Sequence, residues 1–133
     1  MGVNTVLLDT NSYSRLTLGD RHIFNFLKRV ETIYFSVIVL GELYSGFRQG
    51  SQKNRNITEL EAFLRGNNIR LVKISEKSAE IYGKISYELR SFGTPIPTND
   101  IWIAANSIET NSTLITYDKH FLEIKGLRVW DKI

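Results

Sequence analysis

Residues 3–9 read Val-Asn-Thr-Val-Leu-Leu-Asp, a short run rich in valine, threonine and leucine that ends in an acidic residue. A run of this length and composition predicts a buried strand over residues 3–8. Asp9 stands directly after that strand. Because open parallel sheets bind ligands at the carboxyl ends of their strands, Asp9 is the first candidate site residue.

The alternation of short apolar runs and helical periodicity continues along the chain. Further strands are predicted at residues 33–35, 69–74, 113–116 and 127–130. Helices are predicted at residues 20–30, 37–48, 52–65, 75–93 and 98–108, the last capped by Thr98 or Asn99. Strands that alternate with helices imply crossover connections. The sequence therefore predicts one α/β domain over residues 1–133, with a mainly parallel sheet covered on both faces.

The periodicity also predicts which helical residues face the core. These are Ile23, Leu27, Val30, Ile57, Leu60, Phe63, Leu64, Ala79, Tyr82, Ile85, Leu89, Ile101, Ala104, Ala105 and Ile108. Apolar residues make up 42% of the chain and aromatic residues 11%, which is enough for one core.

Composition excludes several classes of protein. The chain has no cysteine, which excludes a disulfide framework, a thiolate zinc site and a cysteine nucleophile. The sequence shows no secretory signal at its start, and no apolar run approaches the ~20 residues that span a bilayer. We therefore expect a cytoplasmic protein that does not engage a membrane.

Four acidic residues, Asp9, Glu42, Asp100 and Asp118, are candidates for one site. Asp9 and Asp118 follow the first and fourth strands, whereas Asp100 and Glu42 lie in the early turns of two helices. Taken singly, each has an ordinary structural explanation, such as helix capping or the helix dipole. Together they come from four distant parts of the chain and can meet at one edge of the sheet.

A meeting of four carboxylates predicts a cation site. Clustered carboxylates repel one another unless cations neutralise them, and Mg²⁺ prefers a few carboxylate ligands together with water and substrate phosphate. Two such ions ~3.5–4 Å apart can activate water and stabilise the leaving oxygen of a phosphodiester. Both histidines, His22 and His120, are expected on the surface, and His120 is a weaker additional candidate because it follows Asp118 closely.

The charge distribution fits a polyanionic ligand. The chain carries 17 basic and 14 acidic residues, and four of the acids belong to the candidate site. The interval between Glu42 and Glu59 contains no acid but includes Arg48, Lys53 and Arg55, which are candidate contacts to RNA. A modest basic excess is equally typical of an ordinary solvated surface.

The blocks that carry the acids resemble the PIN-domain family, and within it the VapC-type toxins. The matching blocks are Leu-Leu-Asp-Thr-Asn at residues 7–11, Ser-Val-Ile-Val-Leu-Gly-Glu-Leu at 36–43, Ile-Pro-Thr-Asn-Asp-Ile-Trp-Ile-Ala-Ala at 96–105, Leu-Ile-Thr-Tyr-Asp-Lys-His-Phe at 114–121 and Gly-Leu-Arg-Val-Trp at 126–130. Each block alone is a weak match, but their shared order makes the resemblance strong.

This resemblance implies a three-layer α/β/α fold with a central, mainly parallel sheet of four to five strands. It also implies an endoribonuclease that uses Mg²⁺ or Mn²⁺. By motif position, Asp9, Glu42, Asp100 and Asp118 match the acidic metal site of the family. As secondary polar residues near the site, Thr116 matches a hydroxyl residue beside it, and Asn11 matches the polar residue after the first aspartate.

The resemblance further implies partners. VapC-type toxins cleave tRNA or ribosomal RNA in many cases, form homodimers and build larger assemblies with a VapB-type antitoxin that lies across the active site. A helical pair between residues 33 and 69, with Tyr44, Phe47 and Phe63, is one candidate groove for such a partner. Aromatic residues at helical spacing are more often simply core.

Two other functions remain open from the sequence. A flavodoxin-like phosphoacceptor domain also gathers acids around Mg²⁺ at strand ends, although Glu42 within a helix does not fit it. A non-catalytic RNA-binding module would keep the basic surface without needing four acids, and its affinity for RNA should survive Asp100→Asn.

Overall fold

The computed structural model describes residues 4–130 of the chain. Its strands are β1 (Thr5–Leu8), β2 (Thr32–Ser36), β3 (Ile69–Val72), β4 (Thr113–Ile115) and β5 (Arg128–Val129). Its helices are α1 (Thr10–Thr17), α2 (Arg21–Leu27), α3 (Val37–Gln49), α4 (Lys53–Leu64), α5 (Glu76–Ser91) and α6 (Thr98–Glu109), followed by a 3₁₀ helix at Lys119–Glu123. No helix within the described residues is long and apolar enough to cross a membrane.

The five strands form one parallel sheet in the order β3-β2-β1-β4-β5. The predicted α/β fold is thereby confirmed. The chain moves outward from β1 to β3 and then returns to β4 on the other side, so strand order reverses between β1 and β4. Their carboxyl ends border the crevice where such sheets bind ligands. A flavodoxin-like sheet has the order 2-1-3-4-5, so the flavodoxin-like alternative is wrong.

The centre of the core is β1. Val6, Leu7 and Leu8 are all fully buried. Since successive side chains of a strand point to opposite faces of the sheet, this burial requires helices on both faces. The valine, threonine and leucine run therefore fixes β1 as the central strand. Val3, which the sequence analysis included in this strand, lies outside the described residues.

One helix was not predicted, and two local predictions were wrong. Helix α1 was not predicted, because its eight residues carry too few apolar side chains for a helical pattern. Ala79 is exposed and Ser78 is buried in its place, since the Ser78 hydroxyl donates to Glu109 on α6 (2.6 Å). Neither Thr98 nor Asn99 caps α6, which begins after Pro97 without a side-chain cap. The carbonyl of Pro97 instead accepts the backbone N–H of Asp100 (3.1 Å).

A buried polar network joins the helices that carry two of the candidate acids. Ser36 caps α3 by accepting the N–H of Ile38 (3.0 Å), and its hydroxyl donates to Oδ1 of Asn106 on α6 (2.7 Å). Asn106 Nδ2 donates to Glu109 Oε1 (2.7 Å), which also accepts from Ser78 at the start of α5. Ser36 and Asn106 are fully buried. This network fixes α3 and α6 relative to each other and to the end of β2.

We expect Ser36→Ala to lower the free energy of unfolding by about 2 kcal/mol, because it removes a helix cap and leaves Asn106 Oδ1 buried without its donor. Urea denaturation followed by circular dichroism measures the change. Ser45→Ala is the matched control, since Ser45 lies on the same helix and is exposed. Equal stability of the two variants would contradict the role given to the network.

Candidate active site

The four candidate acids lie around the carboxyl ends of β1 and β4. Asp9 directly follows β1, and Asp118 comes three residues after the end of β4. Glu42 lies within α3, and Asp100 lies in the first turn of α6. The charges of the other three acids all act on Asp100, so the structure brings the four together as the sequence predicted.

Asp9 is the most deeply buried of the four, with 5% of its surface exposed. It caps α1 by accepting the N–H of Ser12 at Oδ1 (2.8 Å), and its Oδ2 accepts the hydroxyl of Thr116. Ser12 also donates to the carbonyl of Ile115 (2.8 Å), which ties the start of α1 to β4. Burial raises the pKa of Asp9 above its ordinary value, although the hydrogen bonds from Thr116 and Ser12 act in the opposite direction.

Glu42 is held at both of its carboxylate oxygens. The hydroxyl of Thr10 donates to Oε1, and Asn99 Nδ2 donates to Oε2 (3.2 Å). Neither Thr10 nor Asn99 was predicted as a site residue. Their positions beside Asp9 and Asp100 in the sequence are the signal that could have found them. These two bonds link α3 to the starts of α1 and α6.

Asp118 is fixed by the turn that follows β4. Its backbone N–H donates to Thr116 Oγ1 (2.9 Å), and its Oδ1 accepts the N–H of His120 (2.9 Å) as the cap of the 3₁₀ helix. Thr116 is fully buried, and its hydroxyl hydrogen-bonds to both Asp9 and the backbone of Asp118. This placement agrees with the supporting position that the sequence suggested for Thr116.

Asp100 is the acid on which the negative charges of the other three acids act. Burial and the negative charges of Asp118, Glu42 and Asp9 raise its pKa to about 6. In the part of the chain that the structure describes, no N–H or O–H group hydrogen-bonds to its carboxylate. A proton or a cation can relieve this repulsion.

The donor set fits a divalent cation. Asp100, Asp118 and His120 each offer one ligand atom, and these atoms lie within 4.8 Å of one another. A carboxylate oxygen that accepts one hydrogen bond keeps a second lone pair, so Asp9 and Glu42 can also bind a cation. Carboxylate oxygens are the ligands that hard divalent cations prefer.

The structure places the other predicted site residues outside the group of four acids. Asn11 is exposed on the first turn of α1, and no hydrogen bond joins it to the four acids. Arg55 lines a cavity of about 550 Å³ between α1, α3 and α4 that reaches Glu42. Arg48 and Lys53 lie near the junction of α3 and α4 but do not line this cavity.

The three aromatic residues of the candidate groove do not share one surface. Phe47 lines the cavity beside Glu42 and packs edge-on against the exposed Tyr44. Phe63 instead packs against Tyr13 and Phe35 in the core, at ring-centroid distances of 5.3 and 5.8 Å. The three residues therefore do not line one groove, because Phe47 and Phe63 line different cavities.

Comparison with known proteins identifies the family of this chain. The sequence model of the family described as "PIN domain" matches residues 6–127 of the chain. The chain is 36% identical over 109 residues to Ribonuclease VapC2 of Rickettsia felis, which covers 80% of each protein. It is 29% identical over 102 residues to Ribonuclease VapC1 of Haemophilus influenzae, covering 76% of this chain and 75% of that one.

Solved structures agree with the sequence matches. A chain of VapBC2 from Rickettsia felis, bound to a DNA fragment from its promoter, superposes with a TM-score of 0.83 at 31% identity, over 96% of this chain and 99% of that one. DNA-bound VapBC from Salmonella typhimurium gives a TM-score of 0.85 at 26% identity, over 96% and 98% of the two chains. The chain therefore belongs to the PIN-domain family and is homologous to VapC ribonucleases.

Proposed function

We propose that this protein is a metal-dependent endoribonuclease and the toxin of a toxin–antitoxin pair. The observation that carries the proposal is the convergence of Asp9, Glu42, Asp100 and Asp118 at the carboxyl ends of β1 and β4. The same chain is homologous to proteins named ribonucleases. A family match and an acidic site at the ligand-binding edge of the sheet thus support one activity.

The proposed cofactor is Mg²⁺, with Mn²⁺ as a substitute. Asp100 and Asp118 would bind the ion directly, and Asp9 and Glu42 would complete the negative site around it. A divalent cation bound there would supply an activated water and neutralise charge on the leaving oxygen of a phosphodiester. Thr10, Asn99 and Thr116 orient these carboxylates through hydrogen bonds.

The proposed substrate is RNA, with tRNA or ribosomal RNA as the target whose cleavage stops translation. Arg55 lines the cavity that reaches Glu42, so it can hold a phosphate near the acids. Arg48 and Lys53 extend the positive surface along the α3–α4 junction. A positive surface beside an acidic centre attracts the RNA backbone and leaves the cation to neutralise the acids. The cytoplasm, where tRNA and ribosomal RNA take part in translation, is the proposed location.

The proposed partner is a VapB-type antitoxin. The solved structures that this chain matches at 31% and 26% identity are VapBC complexes, two of them bound to DNA. We propose that this chain forms a homodimer and assembles with its antitoxin in the same way.

We expect Asp100→Asn to lower the rate of RNA cleavage by at least about 100-fold while RNA binding is retained or strengthened. The substitution removes a proposed cation ligand and also removes negative charge that repels phosphate. Cleavage is measured on end-labelled tRNA and rRNA with Mg²⁺, and binding is measured by filter retention in EDTA.

Glu61→Gln is the control for this experiment, because Glu61 is an exposed acid on α4. It lies outside the acidic cluster, which consists of Asp9, Glu42, Asp100 and Asp118. This variant should cleave and bind RNA as the unmodified protein does. Cleavage that survives in Asp100→Asn would contradict the assigned site. Metal-independent RNA binding without any cleavage by the unmodified protein would favour the non-catalytic RNA-binding module.

The raised pKa of Asp100 predicts a pH-dependent stability in the absence of metal. Its folded pKa of about 6 exceeds the ordinary value of 3.8, so the stabilising contribution of protonated Asp100 is fully present below pH 4 and is lost as pH rises through about 6. We therefore expect Asp100→Asn to melt at a higher temperature than the unmodified protein at pH 7.5 in EDTA, and the difference to vanish near pH 4.

Added Mg²⁺ or Mn²⁺ should raise the melting temperature of the unmodified protein at pH 7.5 more than that of Asp100→Asn, since ligands that bind only the folded state stabilise it. Differential scanning fluorimetry measures both effects. Equal melting temperatures of the two proteins in EDTA at every pH would show that the acids do not repel one another as the geometry requires.

A further inference from the structure

The imidazole of His120 faces the acidic cluster. Its Nδ1 lies 3.3 Å from Asp118 Oδ1, and its side chain is 64% exposed. His120 also belongs to the group whose ligand atoms lie within 4.8 Å of one another, together with Asp100 and Asp118. The Asp118 oxygen already accepts the backbone N–H of His120, so the turn itself holds the ring beside the carboxylate.

The separation of these atoms matches that of two ligands on one cation. With metal–ligand bonds of ~2.1 Å in an octahedral arrangement, adjacent ligand atoms stand ~3 Å apart. Nδ1 of His120 and Oδ1 of Asp118 are close to that spacing without any rearrangement of the backbone. An exposed imidazole can also adjust its ring at little cost, because few neighbours constrain it.

We propose that His120 supplies a nitrogen ligand to the cation held by Asp100 and Asp118, and that this ligand increases the preference of the site for nitrogen-binding transition metals over Mg²⁺. The inference rests on the proposed function only in assuming that these acids bind a divalent cation. Mg²⁺ prefers oxygen ligands and gains little from an imidazole. Later first-row ions such as Co²⁺ and Zn²⁺ bind imidazole well, so an added nitrogen ligand favours them.

The consequence is a site of mixed ligand type. Oxygen ligands from the acids would bind Mg²⁺ with or without His120, whereas Co²⁺ and Zn²⁺ would use the acids and the imidazole together. His120 would then determine which metals compete for the site. Zn²⁺ that binds through the imidazole would displace Mg²⁺ at a low concentration of Zn²⁺. This competition can be measured without RNA.

The experiment compares Co²⁺ and Mg²⁺ binding to the tag-free full chain by isothermal titration calorimetry, with His120→Gln and His22→Gln as a matched pair. The chain has two histidines, and His22 is exposed on α2 outside the acidic cluster. We expect His120→Gln to weaken Co²⁺ binding by about 10- to 100-fold and to change Mg²⁺ binding by less than about twofold. His22→Gln should change neither.

A second readout observes the nitrogen directly. In ¹⁵N-histidine spectra, Zn²⁺ should shift the ring-nitrogen signals of His120 strongly and leave those of His22 in place, while Mg²⁺ should shift neither set strongly. Unchanged Co²⁺ affinity in His120→Gln, or an equal loss for Co²⁺ and Mg²⁺, would overturn the nitrogen ligand. If Mg²⁺ still binds and supports cleavage in the unmodified protein, the proposed function stands despite that result. If neither metal binds the unmodified protein, both proposals fail.

Discussion

The electrostatic repulsion among four carboxylates at the carboxyl ends of β1 and β4 is the constraint on which the site depends. Burial and the neighbouring charges raise the pKa of Asp100 to about 6, and burial also raises that of Asp9. Such an arrangement is costly to the protein alone, because each ionised acid disfavours the next. A bound divalent cation, as proposed above, would offset this cost by neutralising the acids.

The surrounding fold holds the acids in place against that repulsion. Thr116 contacts Asp9 and the backbone of Asp118, while Thr10 and Asn99 hold the two oxygens of Glu42. At a greater distance, the buried Ser36–Asn106 bond fixes α3 relative to α6. Thr116, Thr10 and Asn99 orient the carboxylates of Asp9 and Glu42 and leave them lone pairs for a cation.

The sequence predicted the sheet well because its strands carry local signals, such as the run of valine, threonine and leucine that gives the fully buried β1. The expectation that the four acids meet depended on the parallel topology, which brings the carboxyl ends of the strands to one edge of the sheet. Helix α1 escaped prediction because few apolar residues mark it, although Asp9 caps it. Thr10 and Asn99 were missed because their roles depend on Glu42, a residue distant in sequence that only the folded chain brings near.

Metal-dependent RNA cleavage at this site is tested most directly by incubating a total tRNA and rRNA pool with antitoxin-free protein in Mg²⁺, in Mn²⁺ and in EDTA, beside the Asp9→Asn variant. Asn is a good cap for α1, so this variant should fold. We expect discrete RNA fragments that require metal and are absent with Asp9→Asn. Discrete fragments that persist in EDTA, or with folded Asp9→Asn, would contradict it.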